Sequence, residues 1–168
     1  KILFIGDIVG KPGRKILKEQ LSEIKKDLKI DFTIANAENA AGGIGITSQS
    51  VNELYDSEID IITLGNHVWD KKDVLDFIDI DEKIVRPGNF PKNVPGKGYR
   101  IINKSNLPTI AIVNLQGRVF MNPLDCPFKV SDEIIDKIRD KTNIIIVDFH
   151  AEATSEKSAT VDNIRNPV

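Results

Sequence analysis

Cysteine is nearly absent from this 168-residue chain, where Cys126 stands alone. One thiol excludes an internal disulfide and any thiolate-rich zinc cluster, and it suits a reducing cytoplasm. Histidine is almost as scarce, with only His67 and His150. Neither sign of charge is in excess: 23 Lys and Arg stand against 25 Asp and Glu, for a net charge of −2. The two signs are interspersed, which marks neither an extended nucleic-acid groove nor a surface for anionic membranes. No apolar run approaches the ~18 residues of a membrane span, and the opening residues read as a strand without a signal-peptide pattern. Internal repeats and low-complexity tracts are also missing. The chain begins at Lys1 without methionine, so its numbering is expected to run one short of the gene product. What is present is ordinary: 40% hydrophobic and 29% charged residues, in a length that fits one domain burying roughly two-thirds of its unfolded surface.

The apolar pattern predicts a central strand over Lys1 to Gly6 and a loop from Asp7 to Gly13. From Arg14 to Lys29, Leu17, Leu21, Ile24 and Leu28 fall on one face of an amphipathic helix. A strand over Asp31 to Ala35 runs into the glycine-rich Gly42-Gly43-Ile44-Gly45. Ser48 or Ser50 opens the next helix, with Ser50 and Glu53 spaced as a capping box. The strand Ile59 to Leu64 follows, and Asp70 is placed to cap a short helix through Ile78. Residues 86–98 are turn-rich. Tyr99 to Asn103 and Thr109 to Asn114 read as an antiparallel pair, Leu115 to Pro127 as a long loop, and Ser131 as the cap of a helix with Ile134, Ile135 and Ile138 inward. Asn143 to Asp148 is the last strand. Alternation of strand and helix, with a hairpin in the middle, predicts an α/β fold with mixed, largely parallel sheets between helices, in a single domain spanning 1–168.

The chemistry collects at strand ends. Ile61 to Leu64 stops in Gly65-Asn66-His67, with Gly65 expected to provide a sharp turn. Three other apolar runs stop the same way, in Asp7, in Glu38-Asn39 and in His150. Singly, Asp7 reads equally as a helix cap, Glu38 as a solvated carboxylate and His150 as a core histidine. Together they lie on one edge of a parallel sheet, where such folds keep their ligands. Two carboxylates, amide oxygens and imidazoles form a hard-to-borderline donor set suited to manganese, iron(II), zinc or magnesium. A glutamate that bridges two cations fits a two-metal centre with a spacing of about 3.5–4 Å.

Six stretches carry a family likeness: ILFIGDIVGKPGR (2–14), ANAENAAGGIGIT (35–47), ITLGNHVWDKK (62–72), RPGNFPKNVPGKG (86–98), NLQGRVF (114–120) and DFHAEATSEK (148–157). The sequence resembles the calcineurin-like metallophosphoesterase superfamily, and within it the bacterial YmdB-type family of 2′,3′-cyclic nucleotide phosphodiesterases, over residues 1–157. The resemblance implies a metallophosphoesterase-like α/β sandwich with two divalent metal ions, iron or manganese favoured and zinc or magnesium compatible. It implies hydrolysis of a cyclic nucleotide or similar small phosphodiester through a two-metal-bridged hydroxide. Asp7 and Glu38 would hold one ion, with Glu38 bridging, and Glu38, Asn66 and His150 the other. His67 would protonate the leaving oxygen, and Asn39 would touch metal or phosphate. The Gly42–Gly45 loop and Arg118 are candidates for the pocket wall. A cytoplasmic location without membrane partners is expected, and a homo-oligomer is compatible with the sequence.

Two departures from the wider superfamily stand out. Val9 occupies the histidine position of the usual Asp-x-His, and Glu38 replaces the usual bridging aspartate. Members of the resembled family also run on for about a hundred residues, a typical domain increment, to a late Gly-x-His-x-His motif. Ser158 to Val168 contains no histidine, so the C-terminal part is expected to be missing or truncated here. Two other readings compete: a non-catalytic regulatory or binding relic of the same fold, and a dinucleotide-binding module built on Gly6, Gly10 and Gly13. The second conflicts with Asp7 beside the pyrophosphate and leaves both histidines unused.

Overall fold

In the computed structural model, residues 1–165 are described. The chain divides into two compact units, Lys1–Ile84 and Val85–Val168.

The first unit alternates strand and helix: β1 (Ile2–Ile5), α1 (Gly10–Leu28), β2 (Phe32–Asn36), α2 (Ser48–Asp56) and β3 (Ile61–Thr63), then a 3-10 turn over Lys72–Asp76. β1, β2 and β3 are parallel, with Phe4 level with Ile34 and Ala35 level with Ile62. A two-residue strand, β4 (Ile84–Val85), completes the order β1-β2-β3-β4. β2 is buried on both faces, as expected of a parallel strand between helices. Leu21, Phe32, Ile34, Ile46, Leu54 and Ile61 are among the unit's fully buried side chains.

Four local expectations are corrected here. β1 is an edge strand of the described sheet and not a central one, with Ile2 40% and Phe4 41% exposed. α1 begins at Gly10, four residues early, because Pro12 falls in the first turn, where a missing N–H costs nothing. Of its predicted apolar face only Leu21 is buried, while Ile24 and Leu28 are exposed. α2 is capped by Thr47, not by Ser50 with Glu53: the Thr47 hydroxyl accepts from the Ser50 N–H at 3.3 Å, and the Ser50 hydroxyl accepts from the Thr47 N–H at 2.9 Å. Glu53 is drawn instead to the Arg14 guanidinium at 2.6 Å.

The second unit holds β5 (Tyr99–Ile102), β6 (Ile110–Gln116), α3 (Pro127–Ile138), β7 (Ile145–His150) and α4 (Thr154–Arg165). β5 and β6 pair antiparallel, as predicted, and β6 and β7 parallel. Ala111, Val113, Leu115, Ile134 and Ile138 form a core against which Tyr99, Ile101, Val130 and Val147 pack. Proline at the first helical position starts α3 at Pro127, and Ser131 sits inside the helix, donating to the Phe128 carbonyl at 2.7 Å. β6 runs two residues into the predicted loop, and β7 extends to His150. α4 has no counterpart in the apolar pattern. Part of its packing is polar: Asn163 Nδ2 donates to Ser131 Oγ at 3.1 Å and to Asp132 Oδ1 at 3.0 Å.

Candidate metal centre

The first unit gathers its acidic and amide groups just past the carboxyl ends of β1, β2 and β3. Beyond β1 the backbone enters the left-handed region at Asp7, with φ 42°. Such a φ is uncommon outside glycine, and aspartate is among the residues that tolerate it. The turn is held from both sides, by Ile8 N–H to the Asn36 carbonyl at 3.0 Å and by Gly10 N–H to the Asn39 carbonyl at 2.8 Å. The segment after β1 is therefore tied to the segment after β2. Asn39 Nδ2 donates to Asp7 Oδ1 at 2.7 Å, so these two predicted residues meet directly.

Glu38 is 1% exposed, a rare degree of burial for a carboxylate. The His67 backbone N–H donates to its Oε2 at 3.0 Å, which ties the β2 end to the β3 end. Gly65 has a different task from the one expected. Its φ is not in the left-handed region, but a Cβ there would fall on the Glu38 carboxylate, so only glycine leaves room for the acid. Asn66 lies between Gly65 and His67, half-buried.

His67 is half-exposed, with Nδ1 2.5 Å from Asp70 Oδ2. An ionised carboxylate only accepts, so Nδ1 carries the hydrogen and Nε2 is the nitrogen left for other chemistry. Asp70 is thus not the helix cap it was expected to be; the 3-10 turn starts behind Lys71 with no side-chain cap. The spacing His-x-x-Asp was the available signal, and capping chemistry masked it. Asp73 bonds the Ser48 hydroxyl at 2.8 Å instead.

His150 belongs to the second unit. It ends β7 level with Gln116 of β6, and its carbonyl accepts the Gly117 N–H at 2.9 Å. Arg118, a candidate wall residue, is exposed in the loop that follows Gly117. Among the described residues no three His, Cys, Asp or Glu side chains gather as a ready-made metal cluster. Carboxylate and amide oxygens of the kind Asp7, Glu38, Asn39 and Asn66 carry suit hard divalent ions.

An α/β fold that places this donor set at parallel strand ends is that of the metallophosphoesterase superfamily. The family profile of YmdB-like proteins matches residues 3–166, and the chain belongs to that family. The match runs beyond Lys157, where the family-like motifs stop. A 2′,3′-cyclic-nucleotide 2′-phosphodiesterase of Bacillus subtilis (strain 168) is 52% identical over 159 residues, which are 95% of this chain and 60% of that protein. A hypothetical protein from Thermus thermophilus superposes with a TM-score of 0.90 at 37% identity, covering 97% of this chain and 62% of the other. A structure described as a novel phosphatase from Mycoplasma pneumoniae gives 0.89 at 34% identity, over 98% and 59%. The chain thus spans about 60% of the length of the Bacillus relative. Family membership implies divalent metal ions and sets aside the dinucleotide-binding reading. No helix among the described residues is long and apolar enough to cross a membrane.

Proposed function

We propose that this chain carries the phosphodiester-hydrolysing chemistry of its family, acting on 2′,3′-cyclic nucleotides or similar small phosphodiesters. The observation that carries the reading is the buried Glu38 carboxylate under Gly65, with the Asp7–Asn39 and His67–Asp70 pairs at neighbouring strand ends. The name of the 52% identical relative supports the substrate class. We take residues 1–168 as one metallophosphoesterase-like domain, because the family match crosses both units. A cytoplasmic location is part of the same reading, supported by the single cysteine.

Asp7, Glu38, Asn39 and Asn66 would hold the divalent ions, iron or manganese by preference, with Glu38 shared; His150, in the second unit, is a further candidate ligand. When bound, the ions supply Lewis acidity toward the phosphoryl oxygens and lower the pKa of water near neutral pH. Asn39, anchored by its bond to Asp7, orients the phosphate. His67, as imidazolium, gives its Nε2 proton to the departing ribose oxygen. Water oxygen bonds to phosphorus, losing one proton to solvent, as that P–O bond breaks, and the cyclic diester opens to a nucleoside monophosphate. Asp70 stabilises the charged ring and fixes its orientation, since Nδ1–H points at Oδ2. The test is hydrolysis of 2′,3′-cyclic AMP by manganese- or iron-loaded protein, with Glu38→Gln and Asp7→Asn beside it. Glu38→Gln should abolish binding of the second ion, and Asp7→Asn should weaken mainly the first. Loss of one and the same ion in both variants, by elemental analysis, would exclude a shared Glu38.

A further inference from the structure

Residues 117–124 form a loop held at its base by buried polar groups. Its base is pinched by Asn89, which is fully buried. Asn89 Nδ2 donates to the carbonyls of Gln116 at 2.7 Å and Asp125 at 3.0 Å, and its Oδ1 accepts the Gln116 N–H at 2.9 Å. Compact loops with closed ends are frequently functional. Inside the base, the buried Glu156 carboxylate accepts the Arg118 N–H at 2.9 Å and the Val119 N–H at 3.0 Å. It reaches them because Gly117 has no side chain; a Cβ there would stand 2.5 Å from Glu156 Oε2.

The device ends in a turn closed by Met121 N–H to the Arg118 carbonyl at 3.2 Å, with Phe120 at its third position. Phe120 has φ 64° where turn chemistry favours glycine or asparagine, and its side chain is 90% exposed. A bulky aromatic in left-handed backbone, surrounded by solvent, serves neither the turn nor the core. Local strain of this kind concentrates at functional positions. The loop is also in register with the candidate ligand His150: Gln116 and His150 are level across β6 and β7, and Gly117 is bonded to the His150 carbonyl. From Gly117 to Phe120 the chain reaches at most about 10 Å. An exposed cation, Arg118, shares the loop.

We infer that Phe120 is a specificity residue, an aromatic platform on which the nucleobase of a nucleotide stacks while its phosphate lies toward His150 at the carboxyl ends of β6 and β7. The inference rests on the nucleotide-hydrolysing reading above and adds what would distinguish a nucleotide from a bare phosphodiester. Stacking on a ring face tolerates any base, because every base has a π-face.

The test is binding, so that it stands apart from turnover. Adenosine 3′-monophosphate and the baseless ribose 5-phosphate are titrated into the full, metal-loaded chain by calorimetry, for the native protein and for Phe120→Ala, Phe120→Leu and Phe120→Trp. Circular dichroism checks that each variant is folded, which the exposure of Phe120 favours. The nucleotide should bind roughly 5- to 150-fold more weakly to Phe120→Ala and Phe120→Leu, while Phe120→Trp retains affinity and ribose 5-phosphate is indifferent to all three. Equal nucleotide affinity in native protein and Phe120→Ala would overturn the platform and assign the ring to a protein contact. Equal weakening of ribose 5-phosphate, or a native protein that does not prefer the nucleotide, would overturn it too. Base-dependent binding without hydrolysis of 2′,3′-cyclic AMP would instead refute the proposed reaction and leave the platform standing.

Discussion

At the scale of single residues, Gly65 and Glu38 must be read together. The chain does turn after Gly65, but the glycine is needed because a buried acid occupies the space of its missing side chain, not because of a left-handed φ. Gly65→Ala should therefore displace the Glu38 carboxylate and cost about 1–3 kcal/mol, the usual range for overfilling a packed site. Thermal unfolding and metal content should fall together; a fall in melting temperature with metal binding intact would separate Gly65 from the site. His67 calls for the opposite pattern. In protein that carries the complete site, His67→Ala should keep its metal and lose ~10²–10⁴-fold in rate, with a smaller loss for p-nitrophenyl esters, whose leaving group scarcely needs a proton. Asp70→Asn should lose less than His67→Ala and show the same dependence on leaving group, since it acts only through the ring. A His67→Ala penalty equal for good and poor leaving groups would exclude the general-acid role.

At the scale of elements, a local cap sets how α2 begins, and a side chain far off in sequence sets what it pairs with. The Thr47–Ser50 capping box starts α2, and Thr47→Ala should cost ~0.5–2 kcal/mol, read from denaturant unfolding. The Arg14 guanidinium, hydrogen-bonded to Glu53 from α1, holds that carboxyl below its ordinary value of 4.5, and the Gln49 amide lowers it further. A depressed acid stabilises the fold above its unfolded pKa, and the contribution is lost as pH falls through the folded value. Melting temperature should accordingly drop in acid, below about pH 4.5, less steeply for Glu53→Gln than for the native chain. Identical slopes would mean that the pair contributes nothing measurable, as many exposed ion pairs do. Glu156 is the corresponding lever in the second unit. Glu156→Ala leaves the Arg118 and Val119 N–H groups without their acceptor, so limited trypsin digestion should cleave faster after Arg118.

At the scale of the whole molecule, the proposed ligands Asp7, Glu38, Asn39 and Asn66 would be too few for two ions that each need about four. A chain of residues 1–168 alone is expected to hold metal weakly and to turn over bis-p-nitrophenyl phosphate slowly. Two tightly bound equivalents and full activity would show that other groups complete the shells. The sequence by itself determined the α/β class, the parallel strands and the polar residues at their ends. These follow from short-range signals: runs of β-branched residues, helical periodicity, and the abrupt change from apolar to polar at Asp7, Glu38 and His67. Tertiary structure alone decided that β1 lies at an edge and that Gly65 makes room for Glu38. It also decided that α4 forms and brings Glu156 under Gly117. The physical reason is range: strand and helix patterns are written in neighbours a few residues apart. The space under a glycine, the acceptor that satisfies a loop N–H, and the exposure of Phe120 depend on groups 27 to 38 positions away, as the Asn89–Gln116 and Glu156–Arg118 bonds show. No local pattern encodes such a partner.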